Sequence, residues 1–535
     1  MALVSVCKRR ETQDRYGRSN HTMRRLCLVL LTALLLVTAV AFADPPEPNK
    51  PILLGTPAAG SDLPELGSPA SEMLSQSDEY RLGAMVAHEL REENALLEDP
   101  EVSEYLNDLG DRLAAQSATG GANFQFFVIK DPTINAFAVP GGYIFIHQGL
   151  VLATSTESEL AGVMAHEIAH VTQHHIARQI RAQSQQAMAS AAMLLAAILL
   201  GAAGGGQAVE GGIIAAQGIS AQLQINFTRD NEMEADRVGM GYLAAAGYDP
   251  NGMGDMFETM GRHEGLAATY IPAMLINHPV TTDRIAEARA RASQFAPRKG
   301  HDSQSYQMIR ERVRVLTTTA DVDLAASYRK TIERGEATLA DRYALALTLM
   351  QHNQAEEAVK MLTELTKAHE GLILLHIALA QAQIKDHRVK EGMATFAQAE
   401  RLFPRNIPVT VRYAEALMDD GHPMEAHNML LDLFNIVPPT PDQIRLTALA
   451  ASAAGDAGDA YFYMGEYQIA GGDLNLAAQQ LQLALASPHI SQIQRQRYQA
   501  RLDEVRDYLM SMRKRQIADN GDGQGQGQQG GHGGH

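Results

Sequence analysis

The sequence predicts a mainly α-helical protein, in which an α+β domain with a small sheet is followed by an α-solenoid. Most of the 535 residues belong to segments with apolar side chains at helical spacing. Two short apolar runs, Phe124–Ile129 and Tyr143–Ile146, are typical of strands. Small residues recur at a fixed interval after residue 305, which indicates stacked helical repeats. The chain is long enough for two or three such domains.

The charge balance excludes one class of partner. The formal net charge is −17, and no basic stripe with interleaved aromatic residues occurs. Binding to nucleic acids draws its affinity from neutralisation of phosphates by Lys and Arg. We therefore expect no nucleic-acid partner.

Residues 1–43 are predicted to be an export signal. A basic segment precedes the apolar run Leu26–Val40, and Ala41–Ala43 has the small-x-small pattern of a cleavage site. The run is shorter than the roughly 20 residues that a membrane-spanning helix needs, although an uncleaved anchor stays open as the alternative. Residues 44–75 are rich in Pro, Gly and Ser, which predicts a linker.

Both cysteines, Cys7 and Cys27, lie inside the predicted signal. The processed chain would contain no thiol, which excludes disulfides and thiolate metal sites. An exported, acidic protein without cysteine fits the oxidising bacterial periplasm, and that is the predicted location.

Residues 76–300 are predicted to form the α+β domain. Two helices come first, and the second strand directly follows the Gly141-Gly142 turn. The two helices are predicted at Tyr80–Glu98 and Val102–Gln116. After the strands, a longer helix is predicted from about Glu157 to past Arg181.

Residues 305–510 are predicted to form a tetratricopeptide-repeat (TPR) array. Two sets of small residues recur at intervals of 34 residues, one set in each helix of a pair. They are Ala346, Ala380 and Ala414, and Ala358, Gly392 and Ala426. This period is the signature of TPR units, which stack into curved solenoids that bind proteins. A further unit is expected after an insertion near residues 439–460, and the polar residues 519–535 predict a disordered tail.

The segment His166-Glu167-Ile-Ala-His170 carries the chemistry. Residues four apart share one face of a helix, so both imidazoles can reach one ion. Zinc accepts neutral nitrogen ligands in a tetrahedral arrangement, and its bound water becomes acidic. Glu167 is predicted to be the base that activates this water to cut a peptide bond. One Zn²⁺ per chain is expected.

A third protein ligand is needed, and a second helix is predicted to supply it. Metzincins place a Gly and a third His where this chain has Gln173 and Ile176, which excludes that subclass. His174 and His175 lie just off register. They are predicted to be solvent-exposed helix residues.

The better candidate for the third ligand is a carboxylate about 60 residues later. Glu232 and Asp236 lie one turn apart on a common helical face, whereas Glu234 points to another face. Glu232 is predicted to bind zinc. Asp236 is predicted to accept the N–H of a ligating imidazole, which fixes its tautomer.

These motifs resemble peptidase family M48, in which His-Glu-x-x-His is followed by Glu-x-x-Ala-Asp. The segment Asn135–Gly142 and the strand after it resemble the family's segment beside the cleft, which implies that an extended substrate pairs with the Tyr143–Ile146 edge. His278, followed by Pro279, and Arg284 resemble the family's His-Pro…Arg element. The resemblance implies that this His and Arg lie by the metal, where they stabilise the oxyanion or occupy the open zinc position. A structural role for His278 stays open.

An exported M48 domain joined to a TPR array also resembles periplasmic M48 proteases of outer-membrane quality control. The resemblance implies that the substrates are unfolded or misassembled outer-membrane proteins, and that the array docks to the barrel assembly machinery. The Gly-rich segment 188–220, which carries no charge from Met188 to Val209, is either a buried helix and loop or a flap that contacts a membrane or covers the site. Two alternative interpretations stay open: a TPR scaffold with a dormant peptidase site, and an integral-membrane M48 protease, which the lack of several apolar spans disfavours.

Overall fold

A computed structural model describes residues 76–117, 124–176, 178, 228–266, 278–296, 303–319 and 322–525. The predicted signal, the linker and the segment 188–220 lie outside these ranges. No helix within them is both long and apolar enough to span a bilayer. The predicted fold class is confirmed, since helices dominate and a single small sheet occurs in the described residues.

Two helices precede the sheet, α1 (Gln76–Glu92) and α2 (Pro100–Ala114). The first ends earlier than predicted, because Asn94 takes a left-handed conformation with φ of 54°. Helix α2 begins where the side chain of Asp99 accepts a hydrogen bond from the Val102 N–H, and Pro100 occupies its first turn.

The sheet has three strands, β1 (Gln125–Ile129), β2 (Ala136–Val139) and β3 (Tyr143–His147), in the order β1-β3-β2. Strand β1 runs parallel to β3, and β2 runs antiparallel to it. The prediction of a substrate-binding edge at Tyr143–Ile146 is wrong, because β3 is the central strand and both of its edges are paired. The edge of β2 that faces away from β3 pairs with no other strand in the described residues.

Five helices follow the sheet along the chain, and residues on three of them contribute to the candidate site. They are α3 (Gln148–Ala153), α4 (Glu157–Thr172), α5 (Arg229–Ala245), α6 (Asn251–Leu266) and α7 (Thr282–Ala292). Helices α4 and α5 touch at their backbones, because Gly239 leaves room that a Cβ would fill at 2.8 Å from the Ala165 carbonyl oxygen. Helix α4 stops at Thr172 rather than past Arg181, since His174 has a φ of 52°.

Helices α8 to α19 follow, and successive helices run antiparallel to one another. They are α8 (Gln304–Thr317), α9 (Leu324–Glu333), α10 (Leu339–Gln351), α11 (Ala355–Ala368), α12 (Ile373–Lys385), α13 (Val389–Leu402), α14 (Ile407–Asp419), α15 (Pro423–Phe434), α16 (Pro441–Ala453), α17 (Ala457–Ala470), α18 (Leu474–Ala486) and α19 (Gln492–Gly525). The small residues of the 34-residue period lie between paired helices. Ala346, Ala380 and Ala414 are all fully buried, and a Cβ on Gly392 would meet the Ala380 carbonyl oxygen at 2.8 Å.

Two parts of the array differ from the prediction. Residues 439–460 are not an insertion, because α16 forms there and packs against α17. Helix α19 extends to Gly525, into the segment predicted to be disordered. Once a helix has a packed first turn, each added residue costs little. Residues 526–535 lie outside the described part of the chain.

A buried ion cluster joins α2 to the array. Arg312 of α8 bonds Asp99 at 2.7 Å and lies 3.0 Å from Glu101, and its guanidinium also donates to the Tyr343 hydroxyl at 2.9 Å. Arg412 of α14 lies 2.8 Å from both carboxylates. Two cations and two anions balance in the cluster, so the buried charges compensate one another. These contacts tie the α+β part to the first repeats.

Candidate metal centre

Helix α4 presents two histidines to one point. His166 and His170 are each 1% exposed, and their Nε2 atoms lie 3.0 Å apart. The four-residue spacing places both rings on the same helical face, as predicted. Thr156 caps the start of this helix by accepting a hydrogen bond from the Glu159 N–H, which holds its register.

Helix α5 brings a carboxylate to the same point. Glu232 is 2% exposed, and its two oxygens each lie 3.5 Å from an Nε2 atom, one from that of His166 and the other from that of His170. The close approach of the two helices at Gly239 sets this distance. The structure therefore brings together the three side chains that were predicted to bind the metal.

A fourth side chain that could bind a metal comes from the segment before α7. Nδ1 of His278 lies 3.0 Å from Glu232 Oε1 and 3.4 Å from His166 Nε2. All four ligand atoms lie within 4.8 Å of one another. Ligands at zinc-nitrogen distances in a tetrahedron are about 3.3 Å apart, so the spacing and the mixed nitrogen and oxygen donors fit a zinc ion.

Glu167 is directed toward the same cluster without a partner of its own. It is 1% exposed, and neither carboxylate oxygen has a hydrogen-bond partner in the described residues. Nε2 of His278 lies 3.7 Å from Oε1 of Glu167. A buried carboxylate without a partner is costly, which indicates that it serves a group that the protein chain does not supply.

Asp236 lies behind the first histidine. Its Oδ1 is 3.0 Å from Nδ1 of His166. Burial lowers the pKa of His166, but the adjacent carboxylates of Asp236 and Glu232 outweigh burial and raise this pKa to about 10. This contact places Asp236 beside the imidazole, and its role in accepting the N–H of a ligating imidazole stays a prediction.

Arg284 holds the two carboxylates rather than facing a substrate. Nε and Nη2 donate to the two oxygens of Asp236 at 2.7 Å each, and Nη1 lies 2.8 Å from Glu232 Oε2 and donates to the Pro279 carbonyl. All three guanidinium nitrogens are engaged by the protein. The expectation that Arg284 stabilises an oxyanion is therefore not favoured by its contacts.

The sequence interpretation missed one buried residue. His175 was predicted to be exposed, but it is fully buried, and its Nδ1 lies 2.9 Å from Nδ1 of His170. The prediction failed because α4 ends at Thr172 and the left-handed His174 turns the chain back toward the site. His174 itself is exposed. The spacing of residues on a helix does not predict such a reversal of the chain.

Glu234 lies outside the metal cluster, as its position on another helical face implies. Its Oε2 reaches Nε2 of His175 at 3.2 Å and Nη2 of Arg178 at 2.6 Å. Burial lowers the pKa of His175 to about 4 despite the hydrogen bond to Glu234. The His175 ring is therefore neutral at pH 7.

Comparison with known proteins identifies the family. The model of peptidase family M48 matches residues 100–292. A Vibrio cholerae relative is 33% identical over 450 residues, which cover 83% of this chain and 92% of the relative. The beta-barrel assembly-enhancing protease of Escherichia coli (strain K12) is 30% identical over 450 residues, which cover 83% of this chain and 91% of that protein. The chain belongs to peptidase family M48.

Membership in M48 makes the chain a metalloendopeptidase and implies a bound metal ion. The mitochondrial metalloendopeptidase OMA1 of Schizosaccharomyces pombe is 31% identical over 184 residues, or 34% of this chain and 50% of that protein. A solved tetratricopeptide-repeat protein from Parabacteroides merdae covers 55% of this chain and 93% of its own at 12% identity, with a TM-score of 0.24. A score this low carries no argument, so the repeat fold rests on the helix pairs themselves.

Proposed function

We propose that this protein is a periplasmic zinc endopeptidase that degrades misfolded or stalled outer-membrane proteins and assists their assembly. The observation that carries the proposal is the convergence of His166, His170 and Glu232 beside the unpartnered carboxylate of Glu167. The proposal includes the division of the chain into a peptidase domain over residues 76–300 and a repeat domain over 305–510.

Each residue has a distinct part in hydrolysis. His166, His170 and Glu232 would hold the zinc, which supplies Lewis acidity toward a peptide carbonyl and toward water. Glu167 takes the proton of the attacking water on its carboxylate and then delivers it to the leaving amine. Asp236 keeps His166 in the tautomer that leaves Nε2 free for the metal.

His278 would control access to the metal. Its Nδ1 lies at the same spacing from its neighbours as the three ligands lie from one another. At that position it competes with water and substrate for the fourth place on zinc. We propose that His278 occupies this place at rest, so that the site is closed until the residue moves.

Substrate would bind along the edge of β2 that pairs with no other strand in the described part of the chain. This strand packs against α4, which carries the catalytic residues. An extended peptide that pairs with β2 gains main-chain hydrogen bonds and passes the zinc with its carbonyl groups in a fixed orientation.

The outer-membrane partners are proposed from the similarity to the beta-barrel assembly-enhancing proteases. The TPR array would present unfolded or misassembled outer-membrane proteins, or dock to the barrel assembly machinery. The predicted signal over residues 1–43 supports the periplasmic location. Peripheral membrane contact through residues 188–220 belongs to the same proposal.

Casein digestion by wild-type protein and Glu167→Gln tests the enzymatic part. We expect chelator-sensitive cleavage that falls by 10²-fold or more in the variant, since a general base contributes about that much. Cleavage that persists at the wild-type rate would contradict the role of Glu167. A pull-down with the same variant, which binds without cutting, would identify the natural substrate.

The place of His278 beside His166 and Glu232 also favours a second candidate, a scaffold whose peptidase site is dormant. Growth of a Glu167→Gln strain separates the two. Outer-membrane assembly that is undiminished in this strain would favour the scaffold, and defective assembly would favour the enzyme.

A further inference from the structure

The second nitrogen of each proposed histidine ligand meets a different kind of group. Nδ1 of His166 faces the carboxylate of Asp236 at 3.0 Å. Nδ1 of His170 faces another imidazole, that of His175, at 2.9 Å. The two rings meet at 81° with their centroids 4.8 Å apart, so they meet edge to face and bring two nitrogen atoms together.

The direction of each hydrogen bond in this chain of contacts follows from the metal site. A histidine that binds a metal through Nε2 carries its proton on Nδ1. The Nδ1–H of His170 must therefore donate, and Nδ1 of His175 must accept. That leaves the proton of His175 on Nε2, where Oε2 of Glu234 lies 3.2 Å away and accepts it.

We infer that His175 and Glu234 are positioning residues for His170, which fix its tautomer and orient Nε2 toward the metal. The inference rests on the proposed zinc site. His175 contacts both His170 and the carboxylate of Glu234, and it relays the effect of that carboxylate to His170. Arg178 bonds the same Glu234 oxygen at 2.6 Å and holds it toward His175.

The left-handed turn at His174 makes this arrangement possible. With φ at 52°, this residue ends α4 and turns the chain so that the next side chain points back at the helix. His175 is thereby buried while His174 is exposed. Of these two neighbouring histidines, only His175 contacts the proposed metal ligand His170. His174 therefore serves as the matched control.

The test measures zinc affinity of the full-length protein by competition with a chromophoric chelator. Loss of an outer partner of a metal ligand lowers metal affinity about 10- to 100-fold. We expect this loss in His175→Leu, and a smaller loss in Glu234→Gln. His174→Asn should bind zinc like the wild type, because Asn tolerates the left-handed conformation.

His175 and Glu234 act in series on His170. The double variant His175→Leu/Glu234→Gln should therefore bind zinc no more weakly than His175→Leu alone. His175→Gln, whose amide oxygen can accept from His170, should recover part of the affinity. The melting temperature of the metal-free protein serves as the readout for a merely structural role. It should change little in Glu234→Gln, whose side chain is 29% exposed.

Wild-type zinc affinity in both His175→Leu and Glu234→Gln would overturn the inference. Should His175→Leu fail to fold, Glu234→Gln and His175→Gln decide the question alone. Failure of the proposed function looks different, since the wild-type protein itself would then bind no stoichiometric zinc.

Discussion

Arg284 donates a hydrogen bond of 2.7 Å to each carboxylate oxygen of Asp236, and the pair is buried directly behind His166. The same carboxylate reaches Nδ1 of the histidine at 3.0 Å. The proposed metal ligand His166 thus contacts an anion that is itself held in place by a cation. Breaking this pair would affect folding and metal binding together.

We expect Arg284→Gln to destabilise the protein by about 3–5 kcal/mol, because it leaves buried carboxylates without their cation. Zinc affinity should fall as well, since Asp236 and Glu232 lose their anchor. Thermal unfolding and metal titration measure the two effects. Arg329→Gln is the control, because Arg329 pairs with Glu357 at the surface and its loss should cost less than about 1 kcal/mol. Equal melting temperatures for the two variants would contradict the structural role of Arg284.

His278→Ala should raise the rate of casein cleavage, because removal of the imidazole opens the fourth position on zinc. The expected gain appears in kcat/KM and disappears in the double variant with Glu167→Gln. If the single variant instead lost ten-fold or more of its activity, His278 would stabilise the oxyanion, and the closed resting state would be wrong.

The edge of β2 offers a test of substrate binding. The His147 N–H bonds the Asn135 carbonyl at 2.9 Å, so alternation along the antiparallel pair directs the N–H of Phe137 toward β3 and that of Ala138 outward. Ala138→Pro removes one outward donor while keeping the sheet. We expect casein cleavage to fall about 3- to 10-fold at unchanged zinc content, since one hydrogen bond contributes about 0.5–1.5 kcal/mol.

Phe137→Pro is the control for this edge, because it removes an N–H that pairs with β3 and should destabilise the sheet itself. Unchanged cleavage in a folded Ala138→Pro protein would show that substrate does not pair with β2.

The ion cluster at Asp99 predicts a dependence of stability on pH. Burial raises the pKa of Asp99, but Arg312 and Arg412 outweigh burial and lower it to about 2, below the ordinary value of 3.8. A lowered pKa in the folded state contributes stability above the ordinary value and loses it as pH falls through the folded value. We therefore expect a contribution of about 2 kcal/mol that is present above pH 4 and lost toward pH 2.

Asp99→Asn isolates this contribution, because Asn still caps α2 but carries no charge. The difference in free energy of unfolding between wild type and variant should be largest near neutral pH and shrink below pH 4. A difference that is constant from pH 7 to pH 2 would show that the charge of Asp99 does not stabilise the junction.

The sequence predicted those parts of the site that depend on regular helices. His166, Glu167 and His170 share one helix, and Glu232 and Asp236 share another, so spacing alone indicated which side chains face one another. The 34-residue period in the same way predicted paired helices around Ala346 and its counterparts.

The parts that depend on irregular backbone or on distant contacts could not be predicted. A left-handed His174 has no sequence signature, so burial of His175 was missed. The four-residue strand β2 precedes the turn at Pro140 that leads into β3. Its position at the edge of the sheet depends on which strands pair, and the sequence does not specify this pairing. The partners of Arg284 lie about 50 residues away, on a helix whose approach is set by Gly239.

Metal analysis of the purified protein tests the central claim most directly. The account predicts one zinc ion per chain in the wild type, and loss of that zinc in Glu232→Gln, in which one of the three proposed ligands is replaced. A protein without stoichiometric zinc, or a Glu232→Gln variant that keeps its full complement, would contradict the proposed metal centre.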